Sequence, residues 1–233
     1  MQAHDRATAA GLILVSSLWV CLPASAQDTE TRDLSGFEAV SVGGGIDLVL
    51  RQGDRFIVEV RSDDDASEII TDVRSGKLEI RREASFGFNW GDAGTVSVTL
   101  PKLVALTASG GSEVRTEGAL TGGALEVTAS GGSDVVIDVA VDTLEVSASG
   151  GADVNLTGTA RAARMTSTGG SDLNAGRFTA GEANVNSSGG SDIVIAVRHK
   201  ISGHASGGSD IAYSGQPSSV DIDTSGGSDV RRR

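Results

Sequence analysis

The sequence predicts an all-β fold, a parallel β-helix (β-solenoid) of about 19 residues per coil with a less regular N-terminal β portion. The first observation is a five-residue motif, Ser130-Gly131-Gly132-Ser133-Asp134, close variants of which occur seven times in the C-terminal half. The first glycines of successive copies are 21, 19, 19, 20, 18 and 19 residues apart. They are Gly110, Gly131, Gly150, Gly169, Gly189, Gly207 and Gly226. A period of this length is typical of stacked repeats.

The second observation is the alternation of apolar and polar residues on both sides of each motif. In one copy, Leu125, Val127 and Ala129 occupy every second position before the motif, and Val135 follows it. A period of two predicts strands with one buried face, separated by a glycine corner where positive φ angles are accessible. We therefore expect coils of about three short strands, stacked in parallel roughly 4.8 Å apart, because one coil cannot bury its own apolar stripe.

The first 26 residues are predicted to be a secretory signal. Arg6 precedes an apolar run over residues 11–22, and small residues follow up to Ala26. We therefore expect an exported protein, located in the periplasm, at the cell surface or outside the cell. Cys21 is the one cysteine, so a mature chain starting at Gln27 has no thiol for a disulfide or a metal site. Lipidation of Cys21 is an alternative that the preceding Val20 disfavours.

The remainder is predicted to comprise a polar leader over residues 27–36 and one domain over residues 37–233. In that domain, residues 37–100 form less regular coils and residues 101–233 form the regular repeats. The earlier part should hold a strand, a glycine turn and a strand within residues 37–50, with further strands near residues 56–60, 78–80 and 95–100. A helical turn is expected over residues 66–73, because Ile69, Ile70 and Val73 would share one helical face.

The last residue of each motif is acidic, so stacked coils predict a ladder of carboxylates along one edge. Its members are Glu113, Asp134, Asp153, Asp172, Asp192, Asp210 and Asp229. Neighbouring charges at this spacing repel by roughly 1 kcal/mol per pair in water. Either turn amides and solvent stabilise these groups, which is the structural interpretation, or a hard cation such as calcium binds between them. No other cofactor is indicated.

A second candidate surface is an aromatic loop that contains Phe86, Phe88 and Trp90. Such a loop could stack on sugar rings. The alternative is that it covers an open apolar edge of the fold.

Composition argues against several classes of function. A net charge of -12 disfavours nucleic acid and anionic lipid as partners, and no run after the signal is long enough to insert in a membrane. No phosphate-binding loop, zinc spacing or nucleophile elbow is present, and His199 and His204 are expected at the surface. We therefore expect no catalytic residues.

Several stretches carry a family resemblance: residues 37–50, residues 77–80, residues 96–101 and the recurrent Ser-Gly-Gly-Ser-Asp blocks. Together they resemble the putative auto-transporter adhesin, head GIN domain family. The resemblance implies a right-handed, single-stranded β-helix in an exported envelope protein, without catalytic residues to carry over.

The function expected from these observations is a non-enzymatic, adhesin-like binding or structural module of the cell envelope or a secreted protein. Its partner would be a surface protein or a polysaccharide. One alternative is a carbohydrate-active lyase or hydrolase, since other β-helices carry such activities. Another is an element that associates with itself through the solenoid end, where the charges of Arg231, Arg232 and Arg233 would oppose strand pairing.

Overall fold

The computed structural model describes residues 28–62, 66–83 and 94–233. The predicted signal and the aromatic loop of Phe86, Phe88 and Trp90 lie outside these residues. Seventeen strands in the described part form one continuous hydrogen-bonded sheet. In chain order they are β1 (Asp28–Arg32), β2 (Ala39–Val42), β3 (Asp47–Gln52), β4 (Ile57–Ser62), β5 (Ile69–Arg74), β6 (Lys77–Arg82), β7 (Thr95–Leu100), β8 (Ala105–Ser109), β9 (Glu113–Thr116), β10 (Leu120–Ser130), β11 (Asp134–Ser149), β12 (Asp153–Thr168), β13 (Asp172–Ser188), β14 (Asp192–Ser206), β15 (Asp210–Gly215), β16 (Ser219–Thr224) and β17 (Asp229–Arg232).

The repeat half is a β-solenoid whose coils pair in parallel, as predicted. Asp134 of β11 is paired with Asp153 of β12, which is paired in turn with Asp172 of β13. The register step is therefore 19 residues at both places, equal to the spacing of the motifs. Equivalent residues of neighbouring coils lie over one another, so the alternation in sequence becomes a continuous apolar interior.

The prediction of about three short strands per coil is wrong for the central coils. Each of β11, β12, β13 and β14 is one unbroken strand of 15 to 17 residues that runs from one motif to the next. Within β11, Val139 and Leu144 are both buried, although five residues separate them, so the inward-facing parity changes at a bend between them. Parallel pairing with neighbouring coils continues on both sides of this bend, which is why the coil does not divide into separate strands.

The N-terminal portion departs from sequential stacking. β2 pairs in parallel with both β6 and β8, and β3 pairs in parallel with both β7 and β9. The coil formed by β2 and β3 is therefore inserted between two coils that come later in the chain. Beyond it, β4 pairs antiparallel with β7, β1 with β4, and β5 with β6, so antiparallel strands form this end of the solenoid.

The helical turn expected over residues 66–73 is mostly absent. A single 3-10 turn spans Ala66–Glu68, and β5 follows directly, antiparallel to β6. Ile69 is buried and Ile70 is half-buried, and the strand register pairs them with Arg82 and Arg81 of β6. Pairing with β6 satisfies the backbone groups of this segment, and that gain outweighs the local helical pattern.

The interior is almost wholly apolar, with Phe37 and Phe178 among its largest fully buried side chains. Phe37 also packs against Phe56, with ring centroids 4.9 Å apart. Among the described residues, the large apolar side chains that stay exposed are Val136 and Val220. No helix in the described ranges has the length and apolar character needed to cross a membrane.

Candidate functional site

The glycine corner of the motif is built for stacking. Gly131 and Gly132 have φ angles of +64° and +72°, a left-handed conformation that side chains with a Cβ rarely adopt. A Cβ on Gly131 would lie 3.4 Å from the backbone nitrogen of Gly110 in the adjacent coil, whereas a Cβ on Gly132 would meet nothing within 4 Å. The positive φ angle therefore favours glycine at both positions, and the neighbouring coil also lies in van der Waals contact at the first.

The serine after the glycine pair points into the interior and links neighbouring coils. Ser191 is fully buried, and its Oγ lies 2.6 Å from the carbonyl oxygen of Ser188 in its own turn and 2.9 Å from that of Ser167 in the adjacent coil. The hydroxyl has one proton, so these two carbonyl groups share it. This bond to the adjacent coil was not predicted from the sequence.

This inward column can be recognised in sequence from the size of its members. Five of its positions are buried serines, and one is the equally buried Ala152. The serines are Ser112, Ser133, Ser171, Ser191 and Ser209. Each of these six positions holds a small residue between a glycine and an acidic residue, and this constant small size is the signal that the column faces the core.

The predicted carboxylates do lie in one column on the outside of the solenoid. Strand register places all seven of them in successive coils. Near the C-terminal end they also bind backbone amides, since Asp210 Oδ1 accepts the N–H of Asp229 at 3.3 Å and Asp192 Oδ1 accepts that of Asp210 at 3.1 Å. Among the described residues, no group of three or more His, Cys, Asp or Glu side chains could hold a metal ion. Calcium binding by the column stays a prediction.

The structure adds an eighth rung to this column. Leu48 is paired with Val114, which places Asp47 beside Glu113 and Gly44 beside Gly110. The stretch Gly43–Asp47 is therefore a divergent copy of the motif, with the buried Ile46 at the serine position. The glycine run followed by an acidic residue was visible in the sequence, but the changed serine position hid the relationship.

A second feature lies at the bend of the central coils. A shallow groove of about 670 Å³ runs across five coils there, and its lining includes Arg161, Gly181, Arg198 and His199. Register pairs Ala160 with Ala180, and so sets Gly181 beside Arg161. The groove was not predicted, although Asp142, Arg161, Gly181 and His199 follow one another at 19, 20 and 18 residues, close to the repeat period.

Gly181 has no side chain, so one coil contributes none to the floor of this groove. We call this position the empty rung. A Cβ there would lie 2.6 Å from the carbonyl oxygen of Arg161, so close packing of the coils excludes a side chain. Arg161 stands on one side of the empty rung, and Arg198 and His199 stand on the other. Within the described part of the chain neither arginine makes an ion pair or a hydrogen bond through its guanidinium.

A smaller cleft of about 270 Å³ adjoins the groove and shares Glu182 with it. Four basic and two acidic side chains line the two clefts, which gives a formal charge of +2 with histidine neutral. They are Arg161, Arg164, Arg198, Lys200, Asp142 and Glu182. This region is thus locally basic on a chain with a net charge of -12.

The two histidines have different surroundings. His199 lines the groove, while His204 is exposed with its Nε2 3.5 Å from Ser225 Oγ. Both lie at the surface, as expected from the sequence.

Comparison with known proteins decides the family. The model of the family described as putative auto-transporter adhesin, head GIN domain, matches residues 36–217. The chain belongs to this family. A search of curated proteins found no match.

Three crystal structures share the fold of this chain. One is a putative adhesin from Bacteroides fragilis, with a TM-score of 0.84 at 23% identity, covering 91% of this chain and 99% of that one. Another is a putative adhesin from Parabacteroides merdae, with a TM-score of 0.70 at 20% identity, covering 89% and 96%. The third is a putative lipid binding protein from Parabacteroides distasonis, with a TM-score of 0.69 at 17% identity, covering 89% and 96%. At these identities the likeness concerns the fold.

Proposed function

We propose that this head GIN domain is a non-enzymatic, adhesin-like binding module of an exported protein, and that its groove binds an anionic polysaccharide. The observation that carries the proposal is the pair of unpaired guanidinium groups, Arg161 and Arg198, on either side of the empty rung at Gly181. The predicted signal and the adhesin description of the family support export.

The chemistry of the groove favours carboxylate or sulfate groups. A guanidinium can bind either group through two parallel hydrogen bonds, and such charge-assisted bonds are about twice as strong as neutral ones. The net charge of the chain does not prevent this, because charges more than about 8 Å away are largely screened at physiological ionic strength. The side chains that line the two clefts therefore govern the contact. In the groove itself Arg161 and Arg198 are balanced by Asp142 and Glu182, and the excess of +2 comes from Arg164 and Lys200 of the adjoining cleft.

The shape of the groove favours an extended ligand. Sites for small molecules are concave and bury most of the ligand, whereas this groove is shallow and open along the stacked coils. A polymer with a negative group on successive sugars could contact Arg161 and Arg198 together and continue along Lys200.

The test is calorimetric binding of polygalacturonate and of dextran sulfate, with neutral dextran as the uncharged probe. We expect the double variant Arg161→Gln/Arg198→Gln to bind at least tenfold more weakly, since it loses two charge-assisted interactions. Arg115→Gln is the matched control, because Arg115 is exposed on β9 and does not line either cleft.

Four outcomes would contradict the proposal. If neither anionic polymer binds, or if the double variant binds as tightly as the control, the groove is not the site. Binding to vesicles of anionic phospholipid but not to the polymers would favour a lipid surface instead. Release of reducing or unsaturated ends that Asp142→Asn or Glu182→Gln abolishes would establish the lyase or hydrolase alternative.

A further inference from the structure

The last coil of the solenoid leaves core positions uncovered. Val220 on β16 is 48% exposed, although its register partner Ile201 in the adjacent coil is 0% exposed. Val230 on β17 is half-buried over the fully buried Ile211. The inward-facing apolar positions, which neighbouring coils cover in the centre of the solenoid, are therefore uncovered in the last coil.

The backbone of this coil is also paired on one side only. β16 pairs with β14 and β17 pairs with β15, and no other described strand covers their far edges. An uncovered edge presents a row of amide and carbonyl groups, which is a template for a strand of another chain. The open coil thus offers both apolar contacts and backbone hydrogen bonds.

The charges on β16 and β17 indicate which partner the open coil binds. β16 carries Asp221 and Asp223, for a charge of -2. β17 carries Arg231, Arg232 and Asp229, for a charge of 2 - 1 = +1. The two strands of one coil are therefore opposite in sign, and Arg231 also lies 3.5 Å from Asp210 of its own chain.

We propose that the open coil binds the open coil of a second copy of this chain, end to end about a twofold axis. β16 of each copy would pair antiparallel with β17 of the other, so each strand is used once in each copy and the interface is self-complementary. A different twofold arrangement would instead pair β16 of one copy with β16 of the other, and β17 with β17. Like charges directly opposite each other across strands are destabilising, so the crossed arrangement is preferred.

The crossed arrangement also joins the two interiors. Val220, Ile222 and Val230 of one copy would meet the same residues of the other, and the apolar stripe would continue through the interface. On sequence alone the three arginines were expected to oppose such pairing. The structure places Asp221 and Asp223 in the same coil, where they offset those charges in a crossed pair.

The test is the molar mass of the purified chain by light scattering over a range of concentrations. We expect the wild type to reach twice the monomer mass. Asp221→Lys/Asp223→Lys makes both strands basic, and Arg231→Glu/Arg232→Glu makes both acidic, so each double variant alone should remain monomeric. Mixed in equal amounts, the two variants should form a heterodimer, because each basic strand then faces an acidic one.

Circular dichroism melting of each variant controls for folding, since the exchanged side chains are exposed. A wild type that stays monomeric at every concentration would overturn the proposal, as would double variants that dimerise like the wild type. Failure of the mixture to restore the dimer would also reject the crossed arrangement. The groove lies on other coils, so these results are independent of polysaccharide binding.

Discussion

The two ends of the solenoid differ in the direction of their edge strands and in the burial of their apolar residues. At the N-terminal end, antiparallel strands β1 and β5 form the edges, and the inward residue Ile69 is buried. Ion pairs accompany these strands, including Arg32 with Glu30 at 2.8 Å and Arg74 with Asp72 at 3.1 Å. At the C-terminal end the edges stay parallel, and apolar positions remain open. Charged side chains occur on the edge strands of both ends, since β16 and β17 carry Asp221, Asp223, Arg231 and Arg232. The difference therefore lies in the inward apolar residues: Ile69 is buried at the first end, whereas Val220 is 48% exposed at the second.

The largest expected difference between the ends concerns their apolar residues. Ile69→Ala removes a fully buried side chain from β5 and should lower the free energy of unfolding by about 2–4 kcal/mol. Val220→Ala on β16 changes a side chain that is 48% exposed and should cost less than about 1 kcal/mol. Urea denaturation of both variants below the concentration at which copies associate would measure the contrast. Equal losses for the two variants would show that the C-terminal coil is as well packed as the N-terminal end.

A smaller difference is expected in the serine column. Ser191→Ala leaves the buried carbonyl groups of Ser188 and Ser167 without their shared donor, and should cost about 1 kcal/mol. Ser228 Oγ in the last coil also accepts a bond from the adjacent coil, the N–H of Ser209 at 3.2 Å. Ser228 is only half-buried, however, so water can replace its hydroxyl and Ser228→Ala should cost less than about 0.5 kcal/mol. Denaturant midpoints with unchanged slopes would establish both values. If the two losses were alike, burial of the bond between coils would add nothing to stability.

The bond between a motif serine and the adjacent coil can also be tested by adding a hydroxyl at Ala152. It occupies the serine position of its coil and is fully buried, so Ala152→Ser is the matched converse of Ser191→Ala. We expect it to be neutral or stabilising, because the serine would find carbonyl acceptors of the kind that Ser133 reaches at Ala108, 3.2 Å away. A loss of more than about 1 kcal/mol would mean that the hydroxyl stays unpaired there.

The repeat half was predictable because its information is local and periodic. Motif spacing gave the coil length, and alternation around residues such as Val127 and Val135 gave the buried face. The N-terminal portion was less predictable, because short alternating strands can pair with several partners. No local feature of β2 indicates that it lies between β6 and β8, which are far apart in the chain. The error at residues 66–73 has the same origin, since β6 lies outside that segment and determines its conformation.

The two candidate sites differ in the same way, because the carboxylate column is periodic in the sequence and the groove is not. The carboxylate column could be predicted because every coil repeats it. The groove could not be recognised from any motif, since its residues differ from coil to coil: Asp142, Arg161, Gly181 and His199 share only their spacing. Their arrangement is visible only in the stacked coils, where Gly181 has no side chain and arginines lie on either side of it. Repeated residues thus build the solenoid, while departures from the repeat give it a local charge.

The smallest expected difference is between the centre of the carboxylate column and its C-terminal part. Asp134 lies between Glu113 and Asp153 and is exposed, so Asp134→Asn removes repulsion and should stabilise the fold by less than about 1 kcal/mol. Asp210 pairs with Arg231 at 3.5 Å, so Asp210→Asn should be neutral or slightly destabilising. High salt should erase this difference, because it screens exposed charges. The measurement is urea denaturation at low and high salt, repeated with added calcium. If calcium stabilises the wild type and Asp134→Asn abolishes that effect, the column binds the cation, and repulsion between bare carboxylates is not what Asp134 experiences.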